Sequence, residues 1–138
     1  VTILTNNMHY NPNIMASSGY IRYRNMLATN TKLYEFQSEM SLHTKTLLLG
    51  DDITVVGSVN LDPRSAFLST ESVFVIYSDA FNTLTKETTK QYLDQSLRVV
   101  CNGNYLANDN VDMVEPRPMR IAVTRFLSFF SYFFDEML

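Results

Sequence analysis

The sequence predicts an α/β domain, a mixed and largely central β-sheet flanked by helices. Three observations point there. A strand-like run, a stretch of helical spacing and a second strand-like run follow one another by residue 36. Two apolar runs then flank the turn Gly50-Asp51-Asp52. Finally, the apolar run S-V-F-V-I-Y leads into a long segment of mixed polar and apolar residues.

Val1 to Thr5 reads as a buried strand that ends in the polar turn Asn6-Asn7. After Asn11-Pro12-Asn13, Tyr20, Tyr23, Met26 and Leu27 recur at helical spacing, which predicts an amphipathic helix over Met15 to Asn30. Lys32 to Phe36 alternates as a second strand. Strand, helix and strand in this order favour a parallel pair with a right-handed crossover. Thr44 to Leu49 and Ile53 to Val56 form a hairpin around Gly50. Leu61 to Ser69 holds Asp62-Pro63-Arg64 and reads as loop or short helical turn. Ser72 to Tyr77, nearly all apolar, is expected as a central strand. Ser78 caps a helix from about Ala80 to Leu97, with Phe81, Leu84, Tyr92 and Leu97 as its buried positions. Lys86, Glu87 and Lys90 dress its exposed face. Asn102 to Asn110 is loop, Pro116 and Pro118 close the irregular region, and Met119 to Leu138 reads as a terminal helix.

The chain of 138 residues and 15.9 kDa, 46% hydrophobic and 18% charged, suits one globular domain over residues 1–138 and excludes disorder as the main state. Because it opens at Val1 directly into a strand with no initiator Met, it is expected to be part of a longer protein. A net charge of −3 and a pI near 5.2 argue against a nucleic-acid partner, since duplex binders carry a basic excess. Cys101 is alone, so no internal disulfide forms, and no Cys/His spacing suggests a metal. Arg22, Arg24 and Lys32 read as a solvated basic cluster.

The chemistry concentrates between residues 43 and 60. His43 and Lys45 alternate at the start of a strand, so both side chains share a face. A titratable nitrogen beside a fixed positive charge suits an anionic phosphate. Gly57-Ser58-x-Asn60 follows the next strand, where Gly allows close backbone approach and Ser58 and Asn60 add donors.

Together these residues form the run S-L-H-T-K-T-L-L-L-G-D-D-I-T-V-V-G-S-V-N, which resembles the HKD motif of the phospholipase D superfamily. His43, Lys45, Gly57, Ser58 and Asn60 fall in register, while Gly50 stands where the motif has Asp. That Asp helps hold the turn in the family, and Asp51 is the neighbour expected to replace it. The flanking L-D-P-R-S-A-F-L-S-T-E, I-L-T-N, G-Y-x-R-Y-R and L-Y-E resemble the cardiolipin-synthase-like bacterial branch.

The resemblance implies a phospholipase D-like α/β/α half. Glu71 matches the acid that orients the motif histidine, with an ordinary strand-edge acid as the alternative, and Arg64 is expected to brace the motif loop. The family's reaction uses two histidines at a phosphodiester, one attacking phosphorus and the other protonating the leaving alkoxide, with no metal or other cofactor. This chain has one motif copy, since His9-Tyr10-Asn11 lacks the companion residues. A second HKD half or a second copy of the chain would complete the site. By the family's tandem order, this segment would be the C-terminal half and His43 the acid/base.

The implied substrate is a phospholipid and the implied enzyme a bacterial, membrane-associated phosphatidyltransferase. Alternatives are a homodimeric nuclease of the same superfamily, or a silent half retained for packing or partner binding. The aromatic tail at 119–138 is either a packed terminal helix or a membrane-docking surface; its apolar stretch is short of the roughly 20 residues that span a bilayer.

Overall fold

A computed structural model describes residues 1–11, 13–101, 103–115 and 117–130, with the side chains of Pro63 and Arg64 outside that description. The α/β class holds, but the described strands divide into two three-stranded sheets rather than one central sheet.

The first sheet has β1 (Thr2–Asn6), β2 (Lys32–Phe36) and β6 (Ser96–Arg98) in the order β1-β2-β6. β1 and β2 are parallel, Thr2 opposite Lys32 and Asn6 opposite Phe36, joined by α1 (Ile14–Asn30) as expected. Asn13 caps α1 by accepting from the amides of Met15 (3.0 Å) and Ala16 (3.1 Å), satisfying donors that the first turn leaves unpaired.

The buried face of α1 differs from the one its aromatic spacing predicts. Tyr23 and Met26 are exposed, and the face is formed by Ser17, Ser18, Gly19, Arg24 and Ala28. Ser17 and Ser18 turn their hydroxyls back to the carbonyls of Asn13 and Ile14, so they enter the interior with their polarity satisfied. Tyr20 and Leu27 do pack against the core of Ala28, Leu33 and Val99.

Arg24 is the larger correction, because it is buried rather than solvated. Its Nε lies 2.5 Å from Glu35 Oε1 and its Nη2 3.1 Å from Oε2, while Nη1 donates to the Gly103 carbonyl at 2.5 Å. The Tyr20 hydroxyl (2.7 Å) and the Tyr105 hydroxyl complete the Glu35 carboxylate. Burial opposes the Arg24 charge, but the hydrogen bonds and charge of Glu35 outweigh it and hold the guanidinium pKa above its ordinary value. Burial, then the Glu35 charge, raises both tyrosines.

The second sheet has β3 (Thr46–Leu49), β4 (Ile53–Gly57) and β5 (Val73–Tyr77), all antiparallel, in the order β3-β4-β5. The expected hairpin is present, with Gly50 at φ +60°, where only glycine is unstrained. β5 is not central: among the described strands it pairs only with β4, and Val73, Phe74, Val75 and Tyr77 are exposed. An all-apolar run therefore marks a strand awaiting cover, not one already covered. The short α2 (Pro63–Phe67) falls where a helical turn was expected.

α3 (Asp79–Leu93) is capped by Ser78, whose hydroxyl accepts from Phe81 N at 3.2 Å. It stops before Leu97, because the polar Asp94-Gln95 turn closes it and Ser96 Oγ donates to the Tyr92 carbonyl at 2.6 Å. Leu97 is buried, but on β6 opposite Glu35. Phe81, Leu84 and Tyr92 are exposed, and the buried residue of α3 is Asn82. Asn82 donates to the Ile53 carbonyl (2.8 Å) and to Thr54 Oγ1 (3.2 Å), seating α3 on β4. Tyr92 meets Phe36 edge-on with ring centres 5.7 Å apart, so the same helix also rests on the first sheet. α4 (Pro118–Phe130) packs on α1. The rest of the expected terminal helix, together with Pro12, Asn102 and Pro116, lies outside the described residues.

Candidate active site

The pairing of β3 with β4 assembles the site. Thr46 lies opposite Val56, so the preceding residue, Lys45, falls opposite Gly57, whose amide donates to the Lys45 carbonyl at 3.2 Å. Residues twelve apart in sequence are thus neighbours across one row of the sheet. The row continues into β5, where Gly57 pairs with Val73 and Ser58 N donates to the Ser72 carbonyl at 3.0 Å.

Gly57 is required here for packing. A Cβ would stand 2.3 Å from the Ser72 oxygen and 2.8 Å from Val73 Cα. The close approach anticipated from sequence is to this neighbouring strand.

His43 and Lys45 do share a face, in extended chain just before β3. Lys45 Nζ lies 3.0 Å from His43 Nε2 and 3.1 Å from the His43 carbonyl. Lys45 thus sets a fixed positive charge directly against the imidazole. His43 is exposed and Lys45 half-buried, which suits a group that must meet substrate.

On the opposite strand, Ser58 donates to Glu71 Oε2 and accepts from Ser72 N at 3.0 Å. Ser65 donates to Glu71 Oε1 at 2.8 Å and receives the Asn60 amide and side-chain Nδ2 at 3.3 and 3.5 Å. Glu71 therefore ties the Gly57–Asn60 turn to α2 through two serines. The Arg64 side chain, expected to brace this loop, is outside the described residues.

Asp51 is fully exposed and pairs with Lys86 Nζ at 2.7 Å, and the same ammonium donates to the Gly50 carbonyl at 2.9 Å. The Lys86 hydrogen bond, then its charge, lowers the Asp51 pKa below the usual carboxylate value. The turn that lacks the motif Asp is thus fastened to α3 from outside.

Two residues of the site escaped the sequence reading. Ser65 was visible as the third residue after Asp62, whose Oδ1 accepts its amide at 2.7 Å, a local capping pattern. Asn6, the last residue of the I-L-T-N run, reads from sequence only as the start of a polar turn. Its carboxamide donates to the Leu42 carbonyl at 2.8 Å and accepts the Leu42 amide at 2.6 Å, clasping the peptide just before His43 to the end of β1.

A cavity of about 550 Å³ is lined by Thr2, Lys32, Tyr34 and Ser96 among others and includes none of the motif residues. Among the described residues, no three His, Cys, Asp or Glu side chains gather as metal ligands.

Residues 1–95 match the family described as "Cardiolipin synthase, PLD-like domain". The chain belongs to this phospholipase D-like family. An uncharacterized protein of Helicobacter pylori (strain ATCC 700392 / 26695) is 32% identical over 114 residues, covering 72% of this chain and 23% of the relative. Cardiolipin synthase C of Escherichia coli (strain K12) is 32% identical over 111 residues, covering 67% and 23%. Cardiolipin synthase A of Edwardsiella ictaluri is 36% identical over 74 residues, covering 54% and 15%. The chain thus spans less than a quarter of the length of these relatives. No solved structure matches it significantly. The phospholipase D-like match covers the whole of the second sheet and ends just before β6, the strand that completes the first.

Proposed function

We propose that this domain is one catalytic half of a phosphatidyltransferase of the cardiolipin synthase kind, acting on phospholipid phosphodiesters through a phosphohistidine. The carrying observation is the row formed by His43, Lys45 and the Gly57-Ser58-x-Asn60 turn. In this reading a histidine from a second motif copy attacks phosphorus as the bond to the leaving alkoxide breaks, and His43 gives that alkoxide its proton. His43 then takes the proton of the incoming alcohol as its oxygen displaces the phosphohistidine. Lys45 and an Asn60 amide hydrogen stabilise the equatorial oxygens as charge builds. Glu71 holds the Gly57–Asn60 turn through Ser58 and Ser65.

An active rather than silent half is supported by His43, Lys45 and Asn60, all of which are present, while Lys86 holds the Gly50 turn to α3. The complete protein, incubated with phosphatidylglycerol and separately with plasmid DNA, is expected to release glycerol and leave DNA intact. Nicking without lipid turnover would favour the nuclease alternative, and neither activity would favour the silent one.

A further inference from the structure

α4 turns its apolar side outward. Met119, Val123, Phe126 and Phe130 follow the i, i+4, i+7, i+11 rhythm of one helical face, with Phe129 beside them. All five are exposed, Phe126 by 65% and Phe129 by 76%, while Thr124 on the face toward α1 is 1% exposed. The aromatic rings touch one another, Phe126 to Phe130 at 5.1 Å and Phe129 to Phe130 at 5.3 Å between centres. A helix packed only for its own fold would place this stripe against α1; here a polar threonine takes that position.

The charge around the stripe identifies its occupant. Residues 117–130 contain Arg117, Arg120 and Arg125 and no acid, within a chain of net charge −3; the acids nearest in sequence are the exposed Glu115, two residues before Arg117, and Asp135 and Glu136, which lie outside the described residues. Behind α4, a cleft of about 160 Å³ between it and α1 is lined by His9, Arg24 and Arg125 and by no carboxylate. The described helix is not long and apolar enough to cross a membrane. Aromatics on one side with arginines at the flanks characterise a helix that lies in the membrane interface.

We propose that α4 is an interfacial docking helix for a membrane containing anionic phospholipid, its phenylalanines entering the acyl boundary and its exposed Arg117 and Arg125 meeting the phosphates, while Arg120 is held by the Asn11 carbonyl. The choice of lipid over an acidic protein surface rests in part on the phospholipid substrate proposed above. The docking is nonetheless separable from turnover.

The test is flotation of the chain with vesicles of phosphatidylcholine alone and of phosphatidylcholine mixed with phosphatidylglycerol, read as bound fraction with no turnover involved. Selective binding to the mixed vesicles is expected, weakened about fivefold by Arg125→Gln, as for loss of one surface cation. The double variant Phe126→Ser and Phe129→Ser is expected to abolish binding while circular dichroism stays unchanged, both rings being exposed. Should the double variant unfold, Arg125→Gln alone decides. Equal binding to both vesicles, no binding to either, or undiminished binding by a folded double variant would overturn the proposal. A chain that binds vesicles but lacks turnover in the complete protein would leave docking standing and sink the catalytic reading.

Discussion

In the β1-β2-β6 sheet Leu33 and Glu35 are wholly removed from water, whereas in the β3-β4-β5 sheet Phe74 and Tyr77 are 72% and 75% exposed. The first sheet encloses its most polar element, the Arg24–Glu35 pair with two tyrosine hydroxyls. The second leaves both its apolar edge and its chemistry open. A buried ion pair contributes little net stability, but losing one partner is costly, so the first sheet admits few alternative arrangements of α1 on β2. The second sheet has its polar groups held from behind, by Asn6 on Leu42 and Asn82 on β4, and leaves His43 exposed. One sheet is a closed scaffold and the other an open platform among the described residues.

The sharpest way to break the contrast is Glu35→Ala. It strands the Arg24 charge inside and should cost about 3–5 kcal/mol in urea unfolding. Replacing both partners by apolar residues of similar volume should restore most of that loss; a cost under about 1 kcal/mol for the single change would mean that the first sheet is not closed around this pair. On the open side, Gly57→Ala drives a methyl into the Ser72 carbonyl and should destabilise by about 1–3 kcal/mol, with loss of the Gly57–Val73 pairing in amide exchange.

A smaller effect tests the first region by pH. Burial lowers the His9 pKa from 6.5, the field of Glu35 opposing and those of Arg24, Arg125 and Arg120 assisting. The unfolded chain therefore takes up the proton first as pH falls below 6.5, and stability declines until the folded value is passed. His9→Gln should flatten that part of the stability–pH curve; an unchanged slope would show that His9 is not its source. The smallest effect belongs to the exposed turn. The Asp51–Lys86 contribution is present above the ordinary carboxylate pKa and lost as pH falls through the lowered folded value. Asp51→Asn at neutral pH should leave the melting midpoint nearly unchanged, as an exposed pair requires, and a large drop would mark the turn as part of the scaffold.

What could be read from the chain divides along the same line. The second sheet's chemistry is local: His43 and Lys45 lie two apart, Gly57 to Asn60 are nearly contiguous, and the Gly50 turn sets the register that joins them. Contacts across long separations were hidden. Arg24 and Glu35 each look like surface charges, and only the crossover of α1 over β2 brings them together. Asn6 and Leu42 meet across thirty-six positions. The all-apolar β5 misled for a different reason, since apolar sequence reports a need for cover without saying what provides it.

The most direct measurement is the turnover of phosphatidylglycerol by the complete protein carrying His43→Ala. Because His43 is exposed and its described hydrogen bond is with Lys45, the substitution should leave the melting midpoint intact while turnover falls about 100- to 10,000-fold, as for loss of an acid/base group. Wild-type turnover in that folded variant would contradict the assignment of this row as half of a phospholipase D-type site.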